Sequence, residues 1–438
     1  MFEKYFKLSK KGTDVKTELL AGLTTFLTMA YILAVNPGMI SQTGIPIEAA
    51  FLATALSAAV ATLIMGLLAN YPVALAPGMG LNAFFTYNVV FGFGMSWQAA
   101  LAAVFVSGIL FLIVTVTGIR KLVIVAIPKQ LKLAIGAGIG FFIAFIGFQN
   151  AGIIVANQAT LVALGDLTEG VVLLAVFGIL VTVALLAFKV KAAIFIGMVL
   201  TAVVGLIAGA AGIADMPSLP TAIVSAEFDT SAVFAFVSGL DELLSHPQTF
   251  LVIFTFLFVD FFDTAGTLVA VANRTNLVDE SGNLENVEKA LMADSVGTIV
   301  GASLGTSTVT SYIESAAGVE VGGRTGLTAV TTGVLFILAI FFSPLLAVVD
   351  ATVTAPALIV VGILMAQQLG GIDWNDFVSA SSGFMAIIVM ILSYSISDGI
   401  AVGFITYVIA SVAAKRTKEI NPIVWILLPI FILHYVFK

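Results

Sequence analysis

The chain has 438 residues, of which 60% are hydrophobic and only 10% are charged, whereas soluble domains carry about 25% charged residues. This composition indicates a membrane protein with many spans. It has no cysteine and only two distant histidines, His246 and His434, which excludes disulfides, thiol catalysis and a zinc site built on them. The net charge of −7 argues against nucleic acid as a partner. The basic first 16 residues have no cleavable signal peptide pattern.

Hydropathy predicts fourteen spans in chain order. They lie near 17–35, 49–69, 73–91, 98–118, 133–155, 170–188, 192–213, 249–272, 287–305, 306–321, 326–343, 352–368, 376–393 and 398–414. The region 376–414 also fits one long bent helix. A last apolar segment, 421–437, is either one more span or a helix at the membrane interface.

The positive charges support this count. All 18 Lys and Arg fall in the N-terminal tail, after even-numbered spans or near the C-terminus. Cytoplasmic loops are enriched in Lys and Arg, so both chain ends are predicted to be cytoplasmic in a cell membrane. The predicted units are a basic tail at 1–16, a first seven-span repeat at 17–213, an extracytoplasmic loop at 214–247, a second repeat at 248–414 and a C-terminal segment at 415–438.

Two of the predicted spans are unsuited to a continuous helix. The third holds Pro72, Pro77, Gly78 and Gly80, and the tenth is rich in Thr and Ser around Glu314. Each is the third span of its repeat, and a repeat of seven spans must be inserted with inverted topology. A matching pair of interrupted spans is the best sequence pointer to a transporter's binding site.

The eighth span carries two aspartates, Asp260 and Asp263, in an otherwise uncharged stretch of 23 residues from Phe250 to Ala272. A charge near the bilayer centre costs at least about 2.5–3.5 kcal/mol, so such residues usually face a protein-lined cavity. Small residues follow Asp263, which favours a role in binding. Asp260 fits a structural hydrogen bond between helices equally well.

Two further carboxylates lie in the second repeat. Glu314, in the broken tenth span, could accept hydrogen bonds from the N–H groups of a heterocycle, or it could pair with Arg324. Asp294, early in the ninth span, is either a proton-coupling residue or an interhelical anchor.

Polar groups of the first repeat complete the candidate set. Gly80 and Asn82 of the third span offer backbone and side-chain amides, and Asn82 suits the edge of a purine or a hydrogen bond between helices. Phe84 could stack on a flat ligand. Thr28, Tyr31 and Asn36 in the first span either line the site or join helices.

Four motifs of this chain resemble those of a known family of membrane proteins. Gly22-LTTFLTMAYILAVNP, Ala76-PGMGLNAFF, Phe258-VDFFDTAGTL and Thr306-STVTSYIESAAG resemble the AzgA-like purine permeases of the nucleobase:cation symporter-2, or nucleobase–ascorbate transporter, superfamily. The resemblance covers essentially the whole chain. The chain lacks the Gln-His pair that the wider superfamily has in the first span, as the AzgA-like branch does.

The resemblance implies an all-α fold of about fourteen spans in two inverted repeats, arranged as core and gate domains, with short strands in spans three and ten. It implies substrate binding by Asp263, Glu314, Ser315, Gly80, Asn82 and Phe84. It also implies proton coupling through Asp263, Asp294 or Glu314, and dimerisation through the gate domain.

The resulting hypothesis is a transporter, not an enzyme, that imports hypoxanthine and guanine together with a proton. It needs no cofactor or metal, and its partners are the purine base and the lipid bilayer. A buried carboxylate can take up a proton near neutral pH, because removal from water disfavours its charged form. Adenine is the alternative substrate. An anion transporter of the related sulfate-carrier architecture is the rival, although two converging carboxylates would repel an anion. An intramembrane enzyme would need a nucleophile set or metal cluster that the sequence does not show.

Overall fold

The computed structural model describes residues 2–117, 128–272 and 286–436, and these are mostly α-helical. The predicted cytoplasmic cations Arg120, Lys121, Arg274 and Lys438 lie outside the described residues. The other cations lie near helix ends or in connections, and the side of the membrane that they face stays a prediction.

The first half runs from the N-terminal tail to the long connection between the repeats. Its elements are α1 Phe2–Phe6, α2 Val15–Met29, α3 Ile32–Ile40, α4 Ile47–Ile64, β1 Leu75–Pro77, α5 Met79–Ala83 with a wider helical continuation Phe84–Gly92, α6 Trp97–Val116, α7 Lys129–Asn150, β2 Ile154–Asn157, β3 Leu161–Leu164, α8 Gly170–Ala187 and α9 Ala193–Ala210. The hairpin β2–β3 was not predicted. Its strands are short and mostly exposed, so hydropathy has no signal for it.

The second half begins with a short helix in the connection. Its elements are α10 Leu240–Ser245, α11 Thr249–Ala272, α12 Val287–Leu304, β4 Val309–Ser311, α13 Ser315–Val321, α14 Gly326–Ala339 with a tighter continuation Ile340–Val348, α15 Ala351–Ala366, α16 Phe377–Leu392, α17 Ile396–Ala413 and α18 Pro422–Val436.

The predicted fold class is confirmed. Within the described residues, ten helices are long and apolar enough to cross a membrane. The remaining predicted spans are the broken third and tenth, the ninth span α12, and the thirteenth span α16, which is apolar but has only 16 residues. The short strands expected in spans three and ten are present as β1 and β4.

The helices pack in two groups. The core domain consists of α2, α4, α6, α11, α12 and α14 with the two broken spans, and the gate domain consists of α7, α8, α9, α15, α16 and α17. Each group therefore contains helices from both halves of the chain. Such interleaving is what an inverted repeat produces when equivalent spans of the two halves pack together.

A close helix crossing holds the gate domain together. A Cβ atom placed on Gly362 of α15 would lie 2.5 Å from the Gly140 carbonyl oxygen of α7, and one on Gly140 would lie 2.5 Å from Met365 Cβ. Any side chain at either position would push the two backbones apart. Glycine here permits the dispersion contacts that drive helix association in a bilayer.

The region 376–414 forms two packed helices and not one bent helix. α16 ends at Leu392, Tyr394 takes a left-handed conformation with φ of +55°, and Ser395 caps α17 by accepting a hydrogen bond from Asp398 N–H. At the other end of α16, Asp376 caps the helix. Its carboxyl accepts hydrogen bonds from Ser379 and, at 2.8 Å, from the Arg416 guanidinium that follows α17.

Both chain ends pack on the bundle. The Tyr5 hydroxyl donates to Leu67 O at 2.8 Å, and Phe6 and Leu8 pack on Leu327 of α14. The predicted basic tail is thus ordered against the core domain. The last apolar segment is one helix, α18, whose Phe431 contacts Phe404 of α17.

Candidate substrate site

The two broken spans meet in an antiparallel strand pair. Leu75 lies opposite Ser311, Ala76 opposite Thr310 and Pro77 opposite Val309. The pairing is extended by hydrogen bonds from Tyr312 N–H to Ala74 O and from Gly78 N–H to Thr308 O. After the strands, α5 and α13 begin as short helices. Paired strands satisfy the backbone groups that the interrupted helices leave open at membrane depth.

Two carboxylates lie beside this strand pair, as the sequence predicted. Asp263 on α11 is exposed and Glu314, which directly precedes α13, is half-buried. Asp263 lies close enough to Glu314 for the two charges to interact. Both carboxylates also lie close enough to the Tyr31 and Tyr312 hydroxyls to interact with them electrostatically. The structure therefore brings together two acidic and two phenolic side chains from three different spans.

Glu314 is held by the first span. The Tyr31 hydroxyl donates to Glu314 Oε1 at 2.7 Å, while the Arg324 guanidinium donates to the Val319 and Gly323 carbonyl oxygens. Tyr31 lies between α2 and α3, where the first span changes direction. The sequence left open whether Tyr31 lines the site or joins helices. The hydrogen bond to Glu314 shows that Tyr31 contacts the candidate site directly.

Ser315 and Asn82 support the strand pair. The Ser315 hydroxyl accepts the Ala74 N–H at 3.0 Å, and the fully buried Asn82 accepts a hydrogen bond from Ser307. Both side chains thus engage the protein around β1 and β4. Their predicted contacts with a purine stay predictions.

Gly80 and Phe84 lie further along the third span. A Cβ atom on Gly80 would lie 2.5 Å from Ile139 Cγ2, so the core domain touches α7 of the gate domain closely here. The buried Phe84 ring packs edge-on against Phe256 of α11, with ring centroids 4.9 Å apart. Stacking of Phe84 on a base is likewise untested.

Asp294 lies behind the strand pair and not at the exposed side. It is 0% exposed, and its Oδ1 accepts the Thr264 hydroxyl of α11 at 2.7 Å. Asp260, which sequence reasoning left out of the site, is its neighbour and is 1% exposed. Spacing along the chain carries no signal for this contact, because Asp260 and Asp294 belong to different helices.

Two other first-span residues have mainly structural contacts. The Asn36 amide donates to Thr54 and Thr306 hydroxyls at 2.7 and 2.8 Å, joining three elements of the core. The Thr28 hydroxyl donates to Thr25 O at 2.8 Å and lies 3.5 Å from Glu314 O.

The arrangement is suited to a neutral polar ligand with N–H donors. Carboxylate and phenol oxygens accept such donors, whereas two neighbouring carboxylates would repel an anion. Within the described residues no group of three or more His, Asp or Glu side chains is placed to hold a metal ion.

Comparison with known proteins decides the family. A family model named Xan_ur_permease and described as a permease family matches residues 16–402. The guanine/hypoxanthine permease PbuG of Bacillus subtilis is 50% identical over 444 residues, covering 99% of each chain. The chain belongs to the AzgA-like nucleobase permeases.

The relatives of this permease are named for more than one purine. The adenine permease AdeP of Escherichia coli is 41% identical over 100% of this chain and 96% of its own. Among solved structures, the transmembrane domain of the cyanobacterial bicarbonate transporter BicA superposes with a TM-score of 0.63 at 16% identity, covering 91% of this permease and 97% of BicA's domain. The likeness to BicA concerns the fold alone. It agrees with the inverted-repeat architecture.

Proposed function

We propose that this nucleobase permease imports hypoxanthine and guanine by proton symport, with both chain ends in the cytoplasm of the cell. The observation that carries the proposal is the meeting of Asp263 and Glu314 beside the β1–β4 pair. The 50% identity to a permease named for guanine and hypoxanthine favours oxopurines.

The chemistry of the site supports this assignment. Oxopurines present ring N–H donors, and Glu314 Oε2 and the Asp263 carboxylate are acceptors that can meet them. A proton bound by either carboxylate cancels one charge before the loaded site moves. Movement of the core domain against the gate domain then carries base and proton together, because an uncompensated charge at membrane depth would oppose the motion.

Adenine is the second candidate, since AdeP is 41% identical over the whole chain. Adenine has an exocyclic amino group where hypoxanthine has a carbonyl oxygen. Acceptors at the site suit the amino group as well as ring N–H groups. Competition experiments are therefore needed to rank the two purines.

The test is uptake of radiolabelled hypoxanthine by cells that lack their own purine permeases, with and without a protonophore. Glu314→Ala should reduce uptake about 100-fold, because a hydrogen bond to a charged group contributes about 1.5–3 kcal/mol. Glu320→Ala is the matched control, since Glu320 lies on the same short helix and is exposed. It should retain uptake.

Competition by unlabelled guanine, adenine, xanthine and uracil then ranks the substrates. Uptake that a protonophore leaves unchanged would contradict proton symport. Strong competition by adenine, with none by guanine, would replace the oxopurine assignment by adenine.

A further inference from the structure

Asp260 and Asp294 are two buried carboxyl groups with an unusual shortage of hydrogen-bond donors. They are 1% and 0% exposed, and each has one oxygen without a partner: Asp260 Oδ1 and Asp294 Oδ2. Reciprocal hydrogen bonds place the two side chains next to each other: Thr264, one turn after Asp260, donates to Asp294 at 2.7 Å, and Thr298, one turn after Asp294, donates to Asp260 at 3.0 Å. Orphaned carboxylate oxygens in a dry interior cost several kcal/mol, so something must compensate them.

The surrounding hydroxyls are already committed. Thr264 donates to Asp294 Oδ1 at 2.7 Å, and its oxygen lies 2.8 Å from the Thr310 hydroxyl and accepts Ser311 N–H at 3.1 Å. Because Thr264 has one hydroxyl proton, its contact with Thr310 depends on the Thr310 proton, which also lies within reach of Asp260.

The hydroxyl group nearest to Asp260, that of Thr298, is shared between two acceptors. The Thr298 hydroxyl lies 3.0 Å from Asp260 Oδ2 and 3.0 Å from the Val309 carbonyl oxygen, and it has a single proton for both. The Thr310 hydroxyl and the Ser311 N–H, which lie near Asp260 and Asp294, are likewise shared with Thr264. None of these donors makes a hydrogen bond to Asp260 Oδ1 or Asp294 Oδ2.

In the part of the chain that the structure describes, no cation compensates the pair from the helices around it. Asp263 on α11 is the third charge acting on both members, and it is acidic. On α12, Glu288 and the exposed Lys289 lie in the first turn, and α4 has only Glu48 in its own first turn. α6 and β4 have no charged residue. Two ionised carboxylates in contact would thus repel each other without relief.

We propose that Asp260 and Asp294 share one proton, held between Asp260 Oδ1 and Asp294 Oδ2. A single O–H···O⁻ hydrogen bond satisfies both orphaned oxygens and reduces the charge of the pair to −1. It also ties α11 to α12 directly behind the strand pair.

If the proposed proton symport is correct, the proton shared by Asp260 and Asp294 is distinct from the transported one. A coupling proton must exchange with water, and Asp263 is exposed whereas the pair is sealed from solvent. The pair keeps its proton through the cycle, and Asp263 or Glu314 binds the one that crosses. Asp294 then positions the strand pair and carries no proton across the membrane.

The test compares Asp260→Asn, Asp294→Asn and the double variant by thermal unfolding of the purified protein without substrate. An asparagine reproduces the protonated member, because its oxygen can accept from threonine while its NH₂ group donates to the remaining carboxylate. Each single variant should melt within a few degrees of the parent. The double variant should melt about 3–6 °C below both single variants, because two NH₂ groups then face each other and one buried donor has no acceptor.

Two patterns would overturn the proposal. Stabilisation by each substitution, adding up in the double variant, would mean that both carboxylates are ionised. A melting temperature that rises with NaCl but not with choline chloride, and loses that response in either single variant, would mean that Na⁺ occupies the place of the proton.

A second measurement is independent of how well the variants fold. The infrared spectrum of the parent should contain a carboxylic acid C=O band at neutral pH that is missing from the Asp260→Asn spectrum. Identical spectra would contradict the shared proton. Neither the infrared nor the melting measurement involves purine uptake, so their failure and failure of the symport proposal are separable.

Uptake by Asp260→Asn tests the distinction between the two protons. It should keep a protonophore-sensitive rate within about twofold of the parent, since Asp260 does not contact the substrate site. Uptake that persists but no longer responds to the protonophore would make the pair the coupling site and contradict the assignment to Asp263 and Glu314.

Discussion

At the scale of single residues, the candidate site depends on one tyrosine that connects two distant parts of the chain. Tyr31 is 1% exposed and its hydroxyl bonds Glu314 Oε1, leaving Oε2 for a ligand. A carboxylate with one oxygen fixed can present the other in a defined direction. We therefore interpret Tyr31 as a positioning residue for Glu314.

We predict that Tyr31→Phe raises the KM for hypoxanthine uptake about tenfold and lowers the maximal rate much less. The substitution removes one charge-assisted hydrogen bond and keeps the ring. Initial rates over a range of hypoxanthine concentrations measure both constants. Tyr5→Phe is the matched control, since Tyr5 donates to a backbone carbonyl far from the site. An unchanged KM in Tyr31→Phe would contradict the positioning role.

At the scale of elements, the gate domain depends on the backbone contact between α7 and α15. Gly140 and Gly362 make that contact, and each belongs to the same relative span of its repeat, the fifth of one half and the fifth of the other. The crossing has no room for a methyl group. Close packing therefore requires glycine at both positions.

Gly362→Ala should lower the melting temperature of the purified protein, with a loss of about 1–3 kcal/mol from overpacking. Gly370→Ala should leave it unchanged or raise it slightly, because nothing lies within 4 Å of a Cβ atom there. Thermal unfolding in detergent compares the two. Equal melting temperatures would show that α7 and α15 separate without cost.

At the scale of the whole molecule, a buried asparagine joins the core and gate domains. Asn88, in the helical continuation of the third span, is 3% exposed. Its amide donates to Tyr394 O at 2.8 Å, and its oxygen accepts Ile396 N–H at 3.1 Å. Tyr394 lies in the turn between α16 and α17, and Ile396 is the first residue of α17. Transport by relative movement of the two domains requires these bonds to break.

Asn88→Ala should loosen this contact, since each lost hydrogen bond contributes about 1 kcal/mol. The chain has no cysteine, so Ser397→Cys, at a position that is 1% exposed, introduces a single reporter thiol. Its labelling by a maleimide should be about tenfold faster with Asn88→Ala. The exposed Asn375→Ala serves as the control. Equal labelling rates would mean that Asn88 does not hold the domains together.

The amino-acid sequence by itself determined the membrane class, the positions of the spans and the two interrupted segments. Hydropathy, proline, glycine and charge act locally, so they can be read along the chain. Thus Pro72, Pro77 and the Thr/Ser-rich segment before Glu314 predicted the places where β1 and β4 form. The motifs of those same segments also predicted the family.

Only the tertiary structure decided which polar residues meet. Tyr31 and Glu314 are 283 positions apart, and Asp260 and Asp294 lie on different helices. Spacing along one helix placed Asp260 near Asp263, but hydrogen bonds between Thr298 and Asp260 and between Thr264 and Asp294 bring Asp260 next to Asp294. Contacts between helices depend on how inverted halves interleave, and that arrangement has no local pattern in the chain. The sequence therefore predicted the acidic residues, and the fold separated those that face water from those sealed behind the strand pair.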